Sequence, residues 1–496
     1  MRKAHLLMAA LVLAAAAGTA FARLDIERYR ALREAERYQI DVADKLEQKR
    51  AWKDALAEYE KFINLYVDSA AAPYAQYMIS LCDENLNQVN VAVKEYKAVL
   101  TYFPDSPEAP LAAFALGRCY GRSGEMEMAA QQYLQTATRY REHAIAGNAL
   151  WEASGIYLNR DLYEKAVELR RTLVDAYPKS ERFPDAVDWL VDHYLFRAGD
   201  VSAARAVNRL RRSPVEAECH MAQRCYDRAW RLYQREGKKE EGTKGFDQAV
   251  ALMQGVVQQF PGDKPRVLEA LGLIAQSYRY SDRPDAATTA FERLMKEFPD
   301  QDNWREHYAR SLEERGQWPQ ARLEFTRFQD KARGAFQAAE SWHRQRKVAE
   351  AEEAYLRVIQ EYPAQAKISL YRIGDLHRHV SHDYEKAINA YRQSEYSPPQ
   401  HLFRIGESFS AMKNYTMAIQ TYQEIIGFFE SSAPEALWRI GLCYEDRKEP
   451  KDVENAIASF KRICDLYPGS GASSNAHQRL ESKYKIPYTG GGIKKE

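Results

Sequence analysis

The stretch ALGRCYGRSGEMEMAAQQY, residues 115–133, decides the fold. It places a small residue, Gly117, in one apolar segment and Gly124 at a break. Ala129 and Tyr133 follow, one helical turn apart. Residues spaced by four and seven share one face of a helix. Working outward, a small residue followed by large ones at +4 and +7 recurs twelve times. The small residues are Ala55, Ala92, Ala129, Ala166, Ala203, Ala249, Ala287, Ala321, Ala351, Ala387, Ala418 and Ala456. The first four intervals are 37 residues; the others are 46, 38, 34, 30, 36, 31 and 38. A period in this range marks helix pairs that stack on their neighbours to share one core. The expected fold is all-α, a right-handed α-solenoid of about twelve helix pairs.

The physics of one unit is readable from its residues. Ala55, Tyr59 and Phe62 line one face of a second helix, where the small Ala admits a close neighbour and the aromatic fills the space beside it. Gly117, Gly374, Gly406 and Gly441 in first helices would each cost about 1 kcal/mol of propensity, which a close helix contact can offset. Pro104, Pro178, Pro261, Pro299, Pro363, Pro399 and Pro468 stand twelve residues after an Ala and close the second helix. The turn Phe103-Pro104-Asp105-Ser106 then caps the next one.

These residues resemble a known family. Ala115-Leu116-Gly117-Arg118-Cys119-Tyr120 with Ala129 and Tyr133 is similar to a tetratricopeptide repeat. So is Trp438-Arg439-Ile440-Gly441-Leu442-Cys443-Tyr444 with Ala456, Phe460 and Pro468. The resemblance covers roughly residues 24–484. It implies a concave groove, lined by the first helix of each pair, that touches ligand peptides. It also implies a likeness to bacterial envelope proteins of outer-membrane assembly or Tol–Pal type.

The chain has 496 residues, with 71 Lys plus Arg against 70 Asp plus Glu. That balance argues against nucleic acid or an anionic membrane surface as the main partner. Arg2 and Lys3, the apolar run Leu6 to Ala17 and the small-x-small site Ala20-Phe21-Ala22 read as a signal peptide over 1–22, cut before Arg23. No Cys stands at the cleavage point, so a lipid anchor is not expected. The expected location is the periplasm, peripheral to a membrane at most. An N-terminal arm is expected over 23–204, with residues 23–50 as its cap. An irregular bend follows over 205–247, a C-terminal arm over 248–486 and a disordered tail over 487–496. The charged, Gly-rich stretch 235–245 reads as an exposed loop.

Six Cys in an exported chain raise the question of disulfides. Cys82, Cys119, Cys225 and Cys443 each stand two residues after Ser80, Gly117, Gln223 or Gly441, one recurring slot for a small buried side chain. Cys219 and Cys225 lie six apart on one expected helix and point to different sides. All six are read as reduced.

Catalytic signatures are not found: no Gly-x-Ser-x-Gly, no His-Glu-x-x-His, no phosphate-cradling Gly loop and no Cys-x-x-Cys. The chain is expected not to be an enzyme and to need no cofactor. His377, His379 and His382 with Asp383 are of metal-ligating type, but their spacing favours an exposed helix end. The stronger signal is aromatic. Three residues before the small residue of the first helix stand Tyr77, Phe114 and Trp151, and again Phe336, Tyr371, Phe403 and Trp438. Asp188, His220, Gly272 and Glu306 fill the slot between those groups. Trp189 and Trp304 lie one residue off it and are read as core. Carried over from the resemblance, the seven aromatics would anchor a protein or peptide partner in the groove. The alternative is a glycan or cell-wall binding module that stacks sugars on the same rings. The preferred expectation is a non-enzymatic interaction scaffold in envelope assembly or secretion.

Overall fold

The structure, a computed structural model, describes residues 24–487. The expectations for the signal peptide and for the tail beyond residue 487 lie outside the described residues. Among the described residues every regular element is helical. The chain divides into two compact units, Met1–Arg224 and Cys225–Glu496. The first holds a short helix, Ile26–Ala31, and five helix pairs that begin with Glu34–Gln48 and Trp52–Leu65 and end with Phe183–His193 and Val201–Asn208. The sixth pair is Pro214–Trp230 with Lys239–Gln259. Six further pairs follow, from Lys264–Tyr280 with Pro284–Glu297 to Ala433–Arg447 with Asp452–Leu466, and Gly471–Ser482 closes the series. Within each unit a helix packs chiefly on the helix before it and the helix after it, which makes each an α-solenoid. The segment expected as an N-terminal cap supplies the first helix of the first pair.

One contact repeats through the array. Eleven of the twelve alanines are fully buried, and their +4 and +7 partners are buried with them, as in Tyr59 and Phe62, Tyr355 and Val358, or Phe460 and Ile463. The +4 side chain lies against the small residue of the first helix. A Cβ added to Gly117 would fall 2.8 Å from the Tyr133 ring. On Gly374, Gly406 and Gly441 it would fall 2.5 Å from Tyr391, Tyr422 and Phe460. Ser80, Ala275, Ala309 and Ala339 take that place in other repeats and are buried.

The fifth alanine needs a correction. Ala203 is half-buried, and its neighbour Ala204 occupies the contact. The +4 position is then Asn208, fully buried, with its amide donating to the Ala217 carbonyl at 2.8 Å. A buried amide is tolerated because it is hydrogen-bonded.

The stretch 235–245 is also corrected. From Lys239 onward it is the start of a 21-residue helix. Gly242 and Gly245 are contact residues: a Cβ on Gly242 would meet Tyr233 at 2.7 Å, and one on Gly245 would meet Ala229 at 2.8 Å. Pro399 does not close a second helix. That helix ends at Ser394, and Pro399 is the cap of the helix Gln400–Ala411.

Each turn inside a pair carries one residue with positive φ. These are Arg50, Asn87, Gly124, Asp161, Gly199, Gly237, Asp282, Gly316, Arg346, His382, Lys413 and Lys448. A left-handed residue ends the first helix and reverses the chain. Only four of the twelve are glycine. All six cysteines are buried, and none is in a disulfide among the described residues. Cys82, Cys119 and Cys443 follow the small contact residue as read, whereas Gln223 is exposed and Ala222 is the buried residue before Cys225.

Two substitutions test the turn. Gly124 has φ +83° with no atom near its missing Cβ, so Gly124→Ala isolates the conformational cost and should destabilise by about 1–2 kcal/mol. Lys413, at φ 63°, should show the opposite sign: Lys413→Gly gains about 1 kcal/mol. Thermal melts of both variants beside the parent decide it.

Candidate functional site

The slot aromatics stand one helical turn before the small contact residue, so each reaches the +4 side chain of its own repeat. Tyr77 lies 5.8 Å from Tyr96, Phe114 5.2 Å from Tyr133 and Phe336 6.0 Å from Tyr355. Tyr371 lies 5.2 Å from Tyr391, Phe403 6.1 Å from Tyr422 and Trp438 5.1 Å from Phe460. One edge of each ring is therefore fixed by the core. Phe114, Trp151, Phe336, Tyr371, Phe403 and Trp438 keep a partly exposed face. Tyr77 does not: it is 3% exposed, so it packs inside and has no face for a partner.

Trp151 meets a cation instead of a ring. Arg170 occupies the +4 position of its repeat, with its guanidinium 4.1 Å from Trp151 and 4.1 Å from Trp189. Its Nε donates to Ser154 Oγ at 3.0 Å, and its Nη1 has no hydrogen-bond partner among the described residues. Burial without a paired carboxylate pulls this guanidinium down to about 10. Trp189 also stacks on His193, with ring centres 5.8 Å apart. Trp304 fills the space that a side chain at Gly272 would take, so the missing slot aromatic is replaced from the next repeat. Both tryptophans remain partly exposed.

A second series ties consecutive first helices together by ion pairs, and the sequence reading missed it. Arg118 and Arg122 reach Glu84 at 2.7 and 3.2 Å. Arg344 reaches Glu313 at 2.9 Å, and Arg372 reaches Glu340 at 3.3 Å. Glu407 accepts from Arg378, Arg404 and Arg439 at 2.9, 3.0 and 3.5 Å, one carboxylate joining three first helices. The signal was present in the sequence. Tyr371-Arg372-Ile373-Gly374, Phe403-Arg404-Ile405-Gly406 and Trp438-Arg439-Ile440-Gly441 share one pattern, with Arg directly after the slot aromatic. The face thus alternates half-buried rings with guanidiniums. Arg404 and Arg439 stay 38% and 39% exposed, within reach of a ligand.

The histidine group does not converge. His377 is buried, with Nδ1 3.2 Å from Ser381 Oγ and Nε2 3.3 Å from Glu352. His379 lies against Arg378, and His382 lies beside the Tyr384 ring. Among the described residues no group of three such side chains could hold a metal ion. No helix among them is long and apolar enough to cross a membrane.

Two family models, both for the tetratricopeptide repeat, match the sequence. One covers residues 333–364, 402–432 and 435–470, and the other covers 84–144 and 273–336. These segments are similar to tetratricopeptide repeats. They carry the interlocks of Gly117 with Tyr133, Gly406 with Tyr422 and Gly441 with Phe460 described above. Tetratricopeptide repeats mediate protein–protein interaction and are generally non-enzymatic. Among solved structures, the Cut9–Hcn1 hetero-tetramer of the APC/C aligns over 91% of this chain and 97% of that one, at 13% identity and a TM-score of 0.28. A tetratricopeptide repeat protein from Parabacteroides merdae aligns over 59% of this chain and 92% of that one, at 12% identity and a TM-score of 0.27. No curated protein sequence matches the chain.

The last repeat gives the clearest test of the ion-pair series. Burial alone would raise the Glu445 carboxyl. Hydrogen bonds from Arg479, Lys483 and Tyr484, at 3.1, 2.9 and 2.7 Å, outweigh it and hold the group down to about 2. A carboxyl depressed by folding stabilises above its unfolded pKa, and the gain is lost as pH falls through the folded value. Stability at neutral pH should include on the order of 1 kcal/mol from this group once solvent screening is allowed for, lost between roughly pH 4.5 and pH 2. Melting curves across that window should flatten in Glu445→Gln, which also lowers the neutral-pH melting temperature.

Proposed function

We propose that the chain is a non-enzymatic interaction scaffold that holds an extended segment of a partner protein against the face of its first helices. The observation that carries this reading is the alternation of half-exposed rings and guanidiniums along consecutive repeats, most regular at Tyr371, Phe403 and Trp438. Aromatic and Arg side chains dominate the energetics of protein recognition. A ring braced on one edge by the core loses little entropy when a ligand covers the other. Successive repeats place the rings about 10 Å apart, a ladder suited to a peptide rather than a small molecule. The setting we propose is the cell envelope: the charged start, apolar run and Ala20-Phe21-Ala22 site at the N-terminus support export to the periplasm, in assembly or secretion.

Both halves are testable. Mature protein from the producing cell should begin at Arg23; a mature chain beginning at Met1 in the cytosol overturns the periplasmic setting. For the face, Phe403→Ala and Trp438→Ala should weaken capture of the partner by about 2 kcal/mol or more. If the rings only pack, the loss appears as about 3–5 kcal/mol of stability, and the folded variants bind as the parent does. Measuring melting temperature and partner affinity on the same preparations separates the two.

A further inference from the structure

We infer that the first-helix face between the sixth and ninth repeats is an anion subsite, and that the partner segment carries acidic side chains there; this rests on the reading just proposed. In these repeats the slot loses its ring to Gly272 and Glu306. In its place lies an open cavity of about 550 Å³, lined by Arg279, Arg310 and Arg333 with Asn303, Glu306 and His307. Three guanidiniums face one carboxylate in that lining.

The guanidiniums are held in position. Arg279 donates from Nε to Glu314 at 2.9 Å. Arg310 donates to Gln337 at 2.7 Å and to Glu313 at 3.3 Å, and Arg333 donates to Asn303 at 3.0 Å. Glu306 pairs with both Arg310 and Arg333. These three carboxylates balance the three guanidiniums, so the surplus charge comes from next door. A second cavity of about 290 Å³ shares the wall at Tyr280 and adds Tyr226, Asp227, Trp230, Arg231 and Arg235, two guanidiniums to one carboxylate. Arg231 and Arg235 are exposed, and neither forms an ion pair among the described residues; Arg235 lies over the Trp230 ring at 5.3 Å. Burial, reinforced by Arg279, lowers the pKa of His307, so at neutral pH its imidazole serves as a neutral hydrogen-bonding group.

Guanidinium forks match carboxylates in a bidentate way. The lining residues of both cavities come from the first helices of four consecutive repeats, with Arg231 and Arg235 on the π-helical turn Arg231–Arg235 that continues the first of these, and Glu306 occupies the aromatic slot itself. Phe336 opens the aromatic series on the next first helix, which also contributes Arg333. A segment anchored on Phe336, Tyr371 and Phe403 therefore runs on into the arginine cavity. Repeats stand about 10 Å apart and an extended chain rises about 3.3 Å per residue, so one repeat spans about three residues. The carboxylates should lie about three to six residues beyond the apolar anchors.

The test is selection of a random peptide display library on the full chain and on two variants. One carries Arg231→Gln with Arg235→Gln, which breaks no internal ion pair and leaves folding intact. The other carries Arg310→Gln with Arg333→Gln. The expected result is enrichment of Asp and Glu at one end of apolar-anchored peptides on the parent, and its loss on both variants. An enriched peptide, labelled and titrated by fluorescence anisotropy, should bind each variant at least about tenfold more weakly, and its affinity for the parent should fall as salt is raised. Apolar peptides without acidic enrichment overturn the anion subsite and leave the binding face standing. Acidic enrichment that persists on the Arg231 and Arg235 variant also overturns it. Failure to select any peptide overturns the peptide-binding reading and this inference with it.

Discussion

The whole array depends on one steric interlock, a side chain without bulk on the first helix received by a large side chain on the second. Gly117 against Tyr133 and Gly441 against Phe460 leave no room for even one carbon more. This contact sets the distance between the helices of a pair, and that distance sets where everything else can reach. The slot aromatic touches the same ring because it stands one turn earlier on the same helix. When Arg170 replaces the ring, the tryptophans around it supply the packing that the ring would have given. When Gly272 replaces the slot aromatic, Trp304 moves in from the neighbouring repeat. The volume is conserved while its donor changes, as close packing demands.

That stringency explains why the fold was legible in the sequence. A position that accepts only Ala, Ser or Gly recurs visibly, and its large partners follow at helical spacing. The fifth repeat shows the limit. Ala203 and Ala204 are adjacent, and Val207 made the wrong register look apolar, whereas the true +4 residue is a hydrogen-bonded Asn. The turns were illegible for a related reason. The left-handed conformation is required at every one, yet Arg, Asn, Asp, His and Lys fill it as well as Gly. Glycine misled in the opposite direction at Gly242 and Gly245, where it marks a tight helix contact rather than a loop.

The candidate site was half legible. The aromatic slot could be read from spacing, but its burial could not, and Tyr77 is enclosed while Phe114 one repeat later is not. The arginines escaped notice because each pairs with a residue a whole repeat away, as Arg118 does with Glu84. Only the stacked helices bring such partners together. These pairs hold the guanidiniums still, which favours binding: a ligand then meets ordered donors and need not order them itself.

The six buried cysteines give this architecture an internal readout. They lie near both ends of the array and at its middle, and all are enclosed between helices. Burial pushes Cys82 and Cys119 up to about 12 and Cys443 up to about 11, so in the closed state they are protonated and inert. In a quasi-one-dimensional chain, opening is local, because each repeat leans only on its neighbours. A thiol reagent therefore reports the fraying of one stretch of the solenoid at a time. The order in which the cysteines are alkylated under native conditions is a map of which repeats breathe first.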